Sequence, residues 1–182
     1  MELATPLEHH DAFLYGAGDA LLGQIVTLGD GKTYTEDQLR KRGREVRAQF
    51  MKGLPAFKLL MDALKARVET VKGISAIDGR FLPTRSDHSA LHLLLQSCGA
   101  IIMKVALVRL DKRLQECGYV PGLHYEFVAN VHDEWQIEAD EGIGHEVGKE
   151  AVAAIKWAGE YLEFRCPLDG EYKIGKSWKE TH

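Results

Sequence analysis

Apolar side chains recur at helical spacing in four long stretches of the chain, and capping or breaking residues mark their limits. Thr35 stands before acidic first-turn residues, as a capping hydroxyl does, and Pro55 suits the first turn of the next helix. Residues 11–25 are predicted to hold the end of one helix, a glycine-rich turn and a short second helix. The longer helices are predicted at about residues 35–52, 55–71, 87–117 and 144–161.

Strand patterns occupy segments between and after these helices. Residues 123–131 and 134–139 are predicted strands, and in the second one apolar and polar residues alternate as in a sheet with one buried face. Residues 73–83 predict a small hairpin whose Asp78-Gly79 pair suits a type I′ turn. The tail, residues 164–182, is predicted as a strand and a loop. Helices interspersed with antiparallel hairpins indicate an α+β fold.

The composition is that of a globular protein with a substantial core, since 45% of the 182 residues are hydrophobic. No apolar run reaches the roughly 18 residues of a membrane helix. The acidic N-terminus does not have the order of a secretory signal. Three cysteines without CxxC spacing predict reduced thiols in a cytoplasmic protein.

Charge is distributed unevenly along the chain. Residues 31–90 hold 13 Lys or Arg and 7 Asp or Glu, whereas the whole chain has a net charge of −4. A solvated helix face explains such a basic segment, and so does a surface for a polyanion such as nucleic acid. Composition alone leaves both interpretations open.

A polar stripe runs along the longest predicted helix. His88, His92 and Gln96 follow each other at steps of four residues, so they fan over about 80° of one helix face. A solvent-facing stripe is one interpretation, and a zinc site is another, although no further ligand has suitable spacing. The third is a row of hydrogen-bond donors for the acceptors that the DNA minor groove offers at every base pair.

Two adjacent carboxylates, Asp133 and Glu134, interrupt the predicted strand pair 123–139. Carboxylates resist burial, but a tight turn lets Asp133 project into a cleft with its charge intact. Mg²⁺ is the natural compensating ion, because it binds one or two carboxylates and completes its shell with water and phosphate. A solvent-exposed acidic turn and a His-Asp phosphohydrolase are the alternatives, and the latter places its His-Asp pair on a helix.

Together these features resemble the C-terminal part of family A DNA polymerases, the DNA polymerase I type, with the phage replicative branch most similar. The resemblance covers roughly residues 12–182. VHDE at 131–134 resembles motif C, the palm hairpin with a metal-binding aspartate, and YGAGD at 15–19 resembles the end of the fingers motif B. RSDHSALHLLLQSCGA at 85–100 is similar to the helix that meets the primer–template minor groove, and IDGR at 77–80 to the hairpin before it.

The resemblance implies a role for each matching residue. Asp133 is the implied ligand of one or both Mg²⁺ ions of a two-metal site, Glu134 is the supporting acid and second candidate ligand, and His132 is expected near the primer terminus. Tyr15 and Gly16 are expected beside the templating base. The remaining expected DNA contacts are His88, His92, Gln96, Arg80 and Arg85.

Several positions depart from the family pattern. His92 stands where the family usually has asparagine, and Trp135 is larger than the usual aliphatic residue. Leu3 and Leu7 occupy the positions of the motif B arginine and lysine that bind the incoming triphosphate. Motif A, with the other catalytic aspartate, has no counterpart in the sequence.

The implied organisation is an unrelated stretch at residues 1–11, partial fingers helices at 12–72 and the C-terminal palm at 73–182. The implied activity is template-directed nucleotidyl transfer during DNA replication in the cytoplasm of a phage-infected or prophage-bearing bacterium. Its expected partners are primer–template DNA, dNTP and a separate N-terminal polymerase polypeptide, with no membrane. A non-catalytic prophage remnant that at most binds duplex DNA is the alternative.

Overall fold

The computed structural model of the protein describes residues 17–182, except Arg85 and the side chain of His88. Its helices and short antiparallel strand pairs confirm the predicted α+β class. A 3-10 turn at 87–89 precedes the longest helix. In chain order the elements are α1 (Asp19–Val26), α2 (Glu36–Gly53), α3 (Pro55–Val71), β1 (Gly73–Ser75), β2 (Phe81–Pro83), α4 (Ala90–Glu116), β3 (Tyr125–Val131), β4 (Glu134–Ala139), α5 (Gly144–Tyr161) and α6 (Trp178–Thr181).

These residues form two compact units, one that ends at Leu95 and one that begins at Gln96. The boundary falls inside α4. The helix limits predicted from the sequence are confirmed for α2, α3 and α5, whereas the helix end predicted at residues 11–15 lies outside the described residues. Thr35 caps α2 in a capping box: its backbone N–H donates to Gln38 Oε1 at 2.9 Å, and its side chain accepts from the Gln38 backbone N–H.

In the first unit, α1 and α2 pack with their backbones in direct contact. A methyl group added at Gly23 would overlap the backbone of Leu39, and one added at Gly43 would overlap the backbone of Asp19. Each glycine therefore lies against the backbone of the other helix: Gly23 of α1 faces α2, and Gly43 of α2 faces α1. Arg47 of α2 reinforces the contact, because its Nε donates to Asp19 Oδ1 at 2.9 Å.

The hairpin β1–β2 follows α3 and forms an apolar core with it. Its Ile74 is 1% exposed and packs with Leu64 and Val68 of α3. Pairing of Ser75 with Phe81 leaves a loop of residues 76–80 between the strands. This loop is too long for the predicted type I′ turn.

The φ angles of the loop also exclude that turn. Type I′ needs positive φ at both central residues. Gly79 has φ +84°, but Asp78 is absent from the described residues with positive φ. The prediction of an Asp78-Gly79 type I′ turn is therefore wrong, because burial of Ile74 fixes a register that the local dipeptide preference does not suit.

In the second unit, α4 and α5 pack against one face of the hairpin β3–β4. The alternation predicted for β4 is confirmed, since Trp135, Ile137 and Ala139 all pack against this core. The fully or nearly fully buried residues of the core are Ala106, Leu110, Leu114, Tyr125, Val147, Ala154 and Ala158.

The tail differs from its prediction. No strand occurs in residues 164–182; the segment is irregular until α6, a single helical turn. Individual side chains of the tail pack against glycines of α5: Leu168 lies against Gly159, and Tyr172 lies against Gly148. The tail is thus held by side-chain contacts rather than by strand pairing. The three cysteines are free in the structure, and the predicted reducing compartment stays a prediction.

Helix α4 is long and apolar enough, by length and composition, to cross a membrane. Within its apolar 18-residue stretch, 22% of the residues are buried. This corrects the prediction that the chain contains no such stretch. A single helix of this kind is weak support for a membrane span, because core helices of other proteins pass the same test.

Tyr125 provides a test of the core of the second unit. The side chain is buried, and its hydroxyl donates to Asp111 Oδ1 at 2.6 Å. Burial and this hydrogen bond raise the pKa of Tyr125 to about 12. We expect Tyr125→Phe to lower the free energy of unfolding at pH 7 by about 2 kcal/mol, as for a hydrogen bond to a charged acceptor.

The pH dependence of the same variant has a definite sign. A tyrosine whose pKa is raised by folding stabilises the protein fully below the ordinary value of 10 and loses that contribution as pH rises towards 12. Urea unfolding between pH 7 and 12 should therefore show a smaller alkaline loss in Tyr125→Phe than in the wild type. Tyr161→Phe, at a tyrosine that is 64% exposed, is the control. Equal alkaline losses in Tyr125→Phe and the wild type would contradict the assignment.

Candidate functional site

A two-residue turn joins β3 to β4 at the acidic pair predicted from the sequence, with Asp133 in the turn and Glu134 at the start of β4. Val131 pairs with Glu134, so His132 and Asp133 alone form the turn. His132 has φ +54°, in the left-handed region that favours glycine or asparagine. A bulge at Val128 interrupts the ladder and adds local twist to the strands that lead into the turn.

Asp133 projects from this turn with an unengaged carboxylate. The residue is exposed, and its side chain has no hydrogen bond or ion pair with the described residues. A carboxylate of this kind fits the ligand set of Mg²⁺, which takes one or two carboxylates and keeps several waters. Within residues 17–182, apart from the undescribed groups, no three His, Cys, Asp or Glu side chains form a cluster that could hold a metal ion. Among the described residues, the turn therefore presents one exposed carboxylate and not a closed metal site.

Glu134 is in a different situation from its neighbour. Its Oε1 accepts from Trp178 Nε1 at 2.9 Å and from the Gln136 side-chain amide. Its Oε2 lies 2.9 Å from His182 Nδ1, which must carry the hydrogen because an ionised carboxylate only accepts. The hydrogen bonds from His182 and Gln136, with a further one from Trp178, lower the pKa of Glu134 below its ordinary value of 4.5.

The C-terminal turn thus closes onto the start of β4. Thr181 adds a hydrogen bond from its hydroxyl to Gln136 Oε1 at 3.1 Å. Trp178, Thr181 and His182 are site residues that the sequence did not identify. They lie 44 to 48 residues from their partners, and no local spacing or motif connects the two segments.

Trp135, directly after the acidic pair, has a buried indole N–H without a hydrogen-bond partner among the described residues. Its ring packs against the core of the second unit. An unpaired buried donor costs about 1–3 kcal/mol. Trp135, which is larger than the aliphatic residue usual at this position, therefore adds packing to the core but leaves one buried N–H unsatisfied.

The other predicted DNA contacts are spread over the chain. His92 and Gln96 are both exposed and stand four residues apart on α4, as the predicted stripe requires. Arg80 lies in the β1–β2 loop, where its Nε donates to Asp78 Oδ2 at 2.7 Å and holds the pKa of that carboxyl below its usual range. Tyr15, Gly16 and Arg85 lie outside the described residues, as does the side chain of His88.

The contacts of Glu134 lead to a prediction for the tail. Because the hydrogen bond from His182 is the largest cause of the lowered pKa, His182→Ala should raise the pKa of Glu134 towards 4.5. Trp178→Phe keeps an aromatic ring but removes the indole N–H that donates to Glu134. Since this hydrogen bond lowers the pKa less than the one from His182, we expect a smaller rise. Carboxyl-carbon NMR titration measures both values.

Lys179→Ala, at an exposed residue of α6, is the control variant and should leave the pKa of Glu134 unchanged. A carboxyl whose pKa is lowered by folding stabilises the native state above its ordinary value and loses that contribution as pH falls below it. The protection factors of the tail amides in hydrogen exchange, which correct for the intrinsic pH dependence, should therefore fall below about pH 4.5 in the wild type. An unchanged Glu134 pKa in His182→Ala would show that the tail does not set it.

Comparison with known structures defines the class of fold. The protein resembles the POL domain of Pol1 from M. smegmatis, whose structure is a complex with DNA primer-template and dNTP. The TM-score is 0.65, at 17% sequence identity, over 86% of this chain and 28% of that chain. The fold is therefore that of a polymerase domain.

Sequence relatives identify the family. The chain is 37% identical to the DNA-directed DNA polymerase of Enterobacteria phage T3 and 36% identical to that of Escherichia phage T7, over 93% of its length. It covers 25% of each, so it spans about a quarter of these relatives. The family model of DNA polymerase family A matches residues 13–180. The chain belongs to DNA polymerase family A.

Proposed function

We propose that this chain contributes part of the catalytic palm to template-directed DNA synthesis, with Asp133 as one ligand of a two-metal site. The observation that carries the proposal is the unengaged carboxylate of Asp133 at the tip of β3–β4. In the proposed division, residues 73–182 form the palm part and residues 12–72 the fingers part. The polymerase acts in the bacterial cytoplasm, without a membrane.

Each residue of the proposed site has a separate task. Mg²⁺ ions, when bound, lower the pKa of the primer 3′-hydroxyl and stabilise the charge that develops on the α-phosphate. Asp133 would hold such an ion at the turn, and His132 would lie beside the primer terminus. Glu134 accepts hydrogen bonds from Trp178 and His182 of the tail. Because both of its oxygens are engaged, we assign it mainly a role in supporting the turn, and only secondarily that of a metal ligand.

The minor-groove contacts belong to α4. A neutral imidazole and an amide each donate one or more hydrogen bonds. His92 and Gln96 can thus meet purine N3 or pyrimidine O2 whatever the sequence, which suits an enzyme that must copy any template. His88, Arg80 and Arg85 extend this proposed DNA surface, and Tyr15 and Gly16 contact the templating base.

We further propose that the remaining metal ligands and the triphosphate-binding groups come from a separate N-terminal polymerase polypeptide. Three observations support this. The described residues contain no complete metal cluster. In the part of the chain that the structure describes, the sheet β3–β4 has two strands, so each strand has an outer edge without a partner strand there. In the apolar 18-residue stretch of α4, only 22% of the residues are buried, which leaves apolar surface for another polypeptide to cover.

Primer extension tests both proposals. The chain is assayed with Mg²⁺, dNTP and a primer–template, alone and mixed with a polypeptide that carries motif A and the motif B arginine and lysine. We expect synthesis only from the mixture. Robust synthesis by the chain alone would contradict the need for a second polypeptide. Absence of both synthesis and primer–template binding in the mixture would contradict the polymerase role. A remnant that only binds duplex DNA is not proposed, because no observation favours it.

A further inference from the structure

A groove on the second unit is unrelated to the turn at Asp133. It runs between α4 and the end of α5 and has a volume of about 430 Å³. Three cations, Lys104, Arg109 and Lys112, line it together with the rings of Trp157 and Tyr161. No acidic residue lines it. We call this surface the basic groove.

The aromatic residues of the basic groove form a stacked ladder. The guanidinium of Arg109 lies 5.1 Å from the centroid of the Trp157 ring. The rings of Trp157 and Tyr161 are 4.8 Å apart and inclined by 15°, which is a stacked arrangement. Tyr161 is 64% exposed, so much of the residue that stacks on Trp157 is open to solvent. The ladder therefore ends in a platform on which another flat ring can stack.

The charges of the basic groove are not neutralised. None of its three cations forms a salt bridge with a carboxylate in the described part of the chain. The surrounding unit, residues 96–182, is acidic overall, with ten Lys or Arg against fifteen Asp or Glu. A cluster of unpaired cations in an acidic unit is the kind of local positive potential that binds an anionic ligand.

Lys104 and Lys112 also have a suitable spacing. Eight residues advance about 12 Å along a helix and turn by about 80° beyond two full turns, so both positions lie on one broad face. The two lysines are exposed on α4, and between them Val108, 69% exposed, contributes an apolar surface to the groove. Positive charge at two separated points, with apolar and aromatic surface between and beside them, matches a chain that carries phosphates and flat bases alternately.

We infer that the basic groove binds a single strand of DNA, with one base stacked on Tyr161 and phosphates paired with Lys104 and Lys112. Aromatic platforms in positively charged grooves are the usual means of binding single strands without sequence preference. The interior of a duplex offers no free base face to the platform, because its bases are already stacked on each other. The inference does not rest on the metal site, since no residue of the groove belongs to it.

Fluorescence anisotropy with a labelled oligothymidylate tests the inference on the full chain. Loss of one base–aromatic stack weakens binding about tenfold, so Tyr161→Ala should raise the dissociation constant by that factor. Tyr161→Phe keeps the ring and should bind like the wild type. Lys104→Ala/Lys112→Ala should reduce the slope of log K against log salt by about 1.4, because each phosphate contact on a single strand contributes about 0.7.

Two controls separate this site from others. Lys149→Ala/Lys173→Ala removes the same charge from exposed positions outside the groove and should leave the strand's affinity within twofold of the wild type. Asp133→Asn should leave it unchanged, whatever its effect on synthesis. Circular dichroism verifies that each variant is folded. Equal affinities and salt slopes in the wild type and the groove variants would overturn the inference, as would a failure of the wild type to bind the strand at low salt.

Discussion

Asp133→Asn is expected to lower the rate of Mg²⁺-dependent primer extension by the assembled polymerase about a thousandfold or more. A metal that stabilises a transition state contributes several kcal/mol, and each 1.36 kcal/mol is a factor of ten in rate. Asparagine keeps the shape of the side chain but removes the charge of the proposed ligand. The effect should therefore fall on the chemical step and not on the fold.

The fold is expected to tolerate this change because Asp133 is exposed and has no partner among the described residues. The free energy of unfolding should change by less than about 0.5 kcal/mol, as for surface positions in general. Primer–template affinity, measured by anisotropy, should stay within a few fold. Loss of synthesis together with unfolding would instead assign Asp133 a structural role.

Glu138→Gln is a matched control for the removal of one negative charge. Glu138 is an exposed residue of β4, on the same hairpin as Asp133. Single-turnover extension by this variant should equal that of the wild type. If Glu138→Gln were as inactive as Asp133→Asn, the general charge of the hairpin would be responsible and not a metal ligand at the turn. Wild-type activity in Asp133→Asn would refute the metal role directly.

The elements with local signals were predictable from the sequence. Thr35 and Gln38 are three residues apart, and a capping box requires nothing beyond that spacing. The hairpin β3–β4 was predictable because two strand-like segments flank a two-residue break and the second of them alternates apolar and polar residues. The exposed position of Asp133 followed from that break, since a charge in the strand itself would have been partly buried.

Features that depend on distant partners were not predictable. The Asp78-Gly79 pair has a strong local preference, but burial of Ile74 sets a register with a longer loop. A strand is predicted in the tail, yet no strand pairs with this segment among the described residues. The contacts of Trp178 and His182 with Glu134 arise only when the chain folds back across more than forty residues.

Gly43→Ala is expected to destabilise the first unit by about 3 kcal/mol. Overpacking a close contact costs 1–3 kcal/mol or more, and here the added methyl group meets the backbone of Asp19, which cannot move aside like a side chain. Alanine favours a helix over glycine by about 1 kcal/mol, so the net effect already includes that gain. The helices α1 and α2 would have to separate to admit the methyl group, and the Arg47–Asp19 ion pair would be distorted with them.

Gly99→Ala supplies the matched control, because Gly99 is also inside a helix but has no atom within 4 Å of the added methyl group. That variant should gain about 0.5–1 kcal/mol. Urea unfolding followed by circular dichroism gives the two free energies, and hydrogen exchange of residues 19–53 locates the loss in α1 and α2. The opposite signs separate close packing from helix propensity, since propensity alone would stabilise both variants. A Gly43→Ala protein as stable as Gly99→Ala would mean that α1 and α2 do not approach as closely in solution as the structure has them.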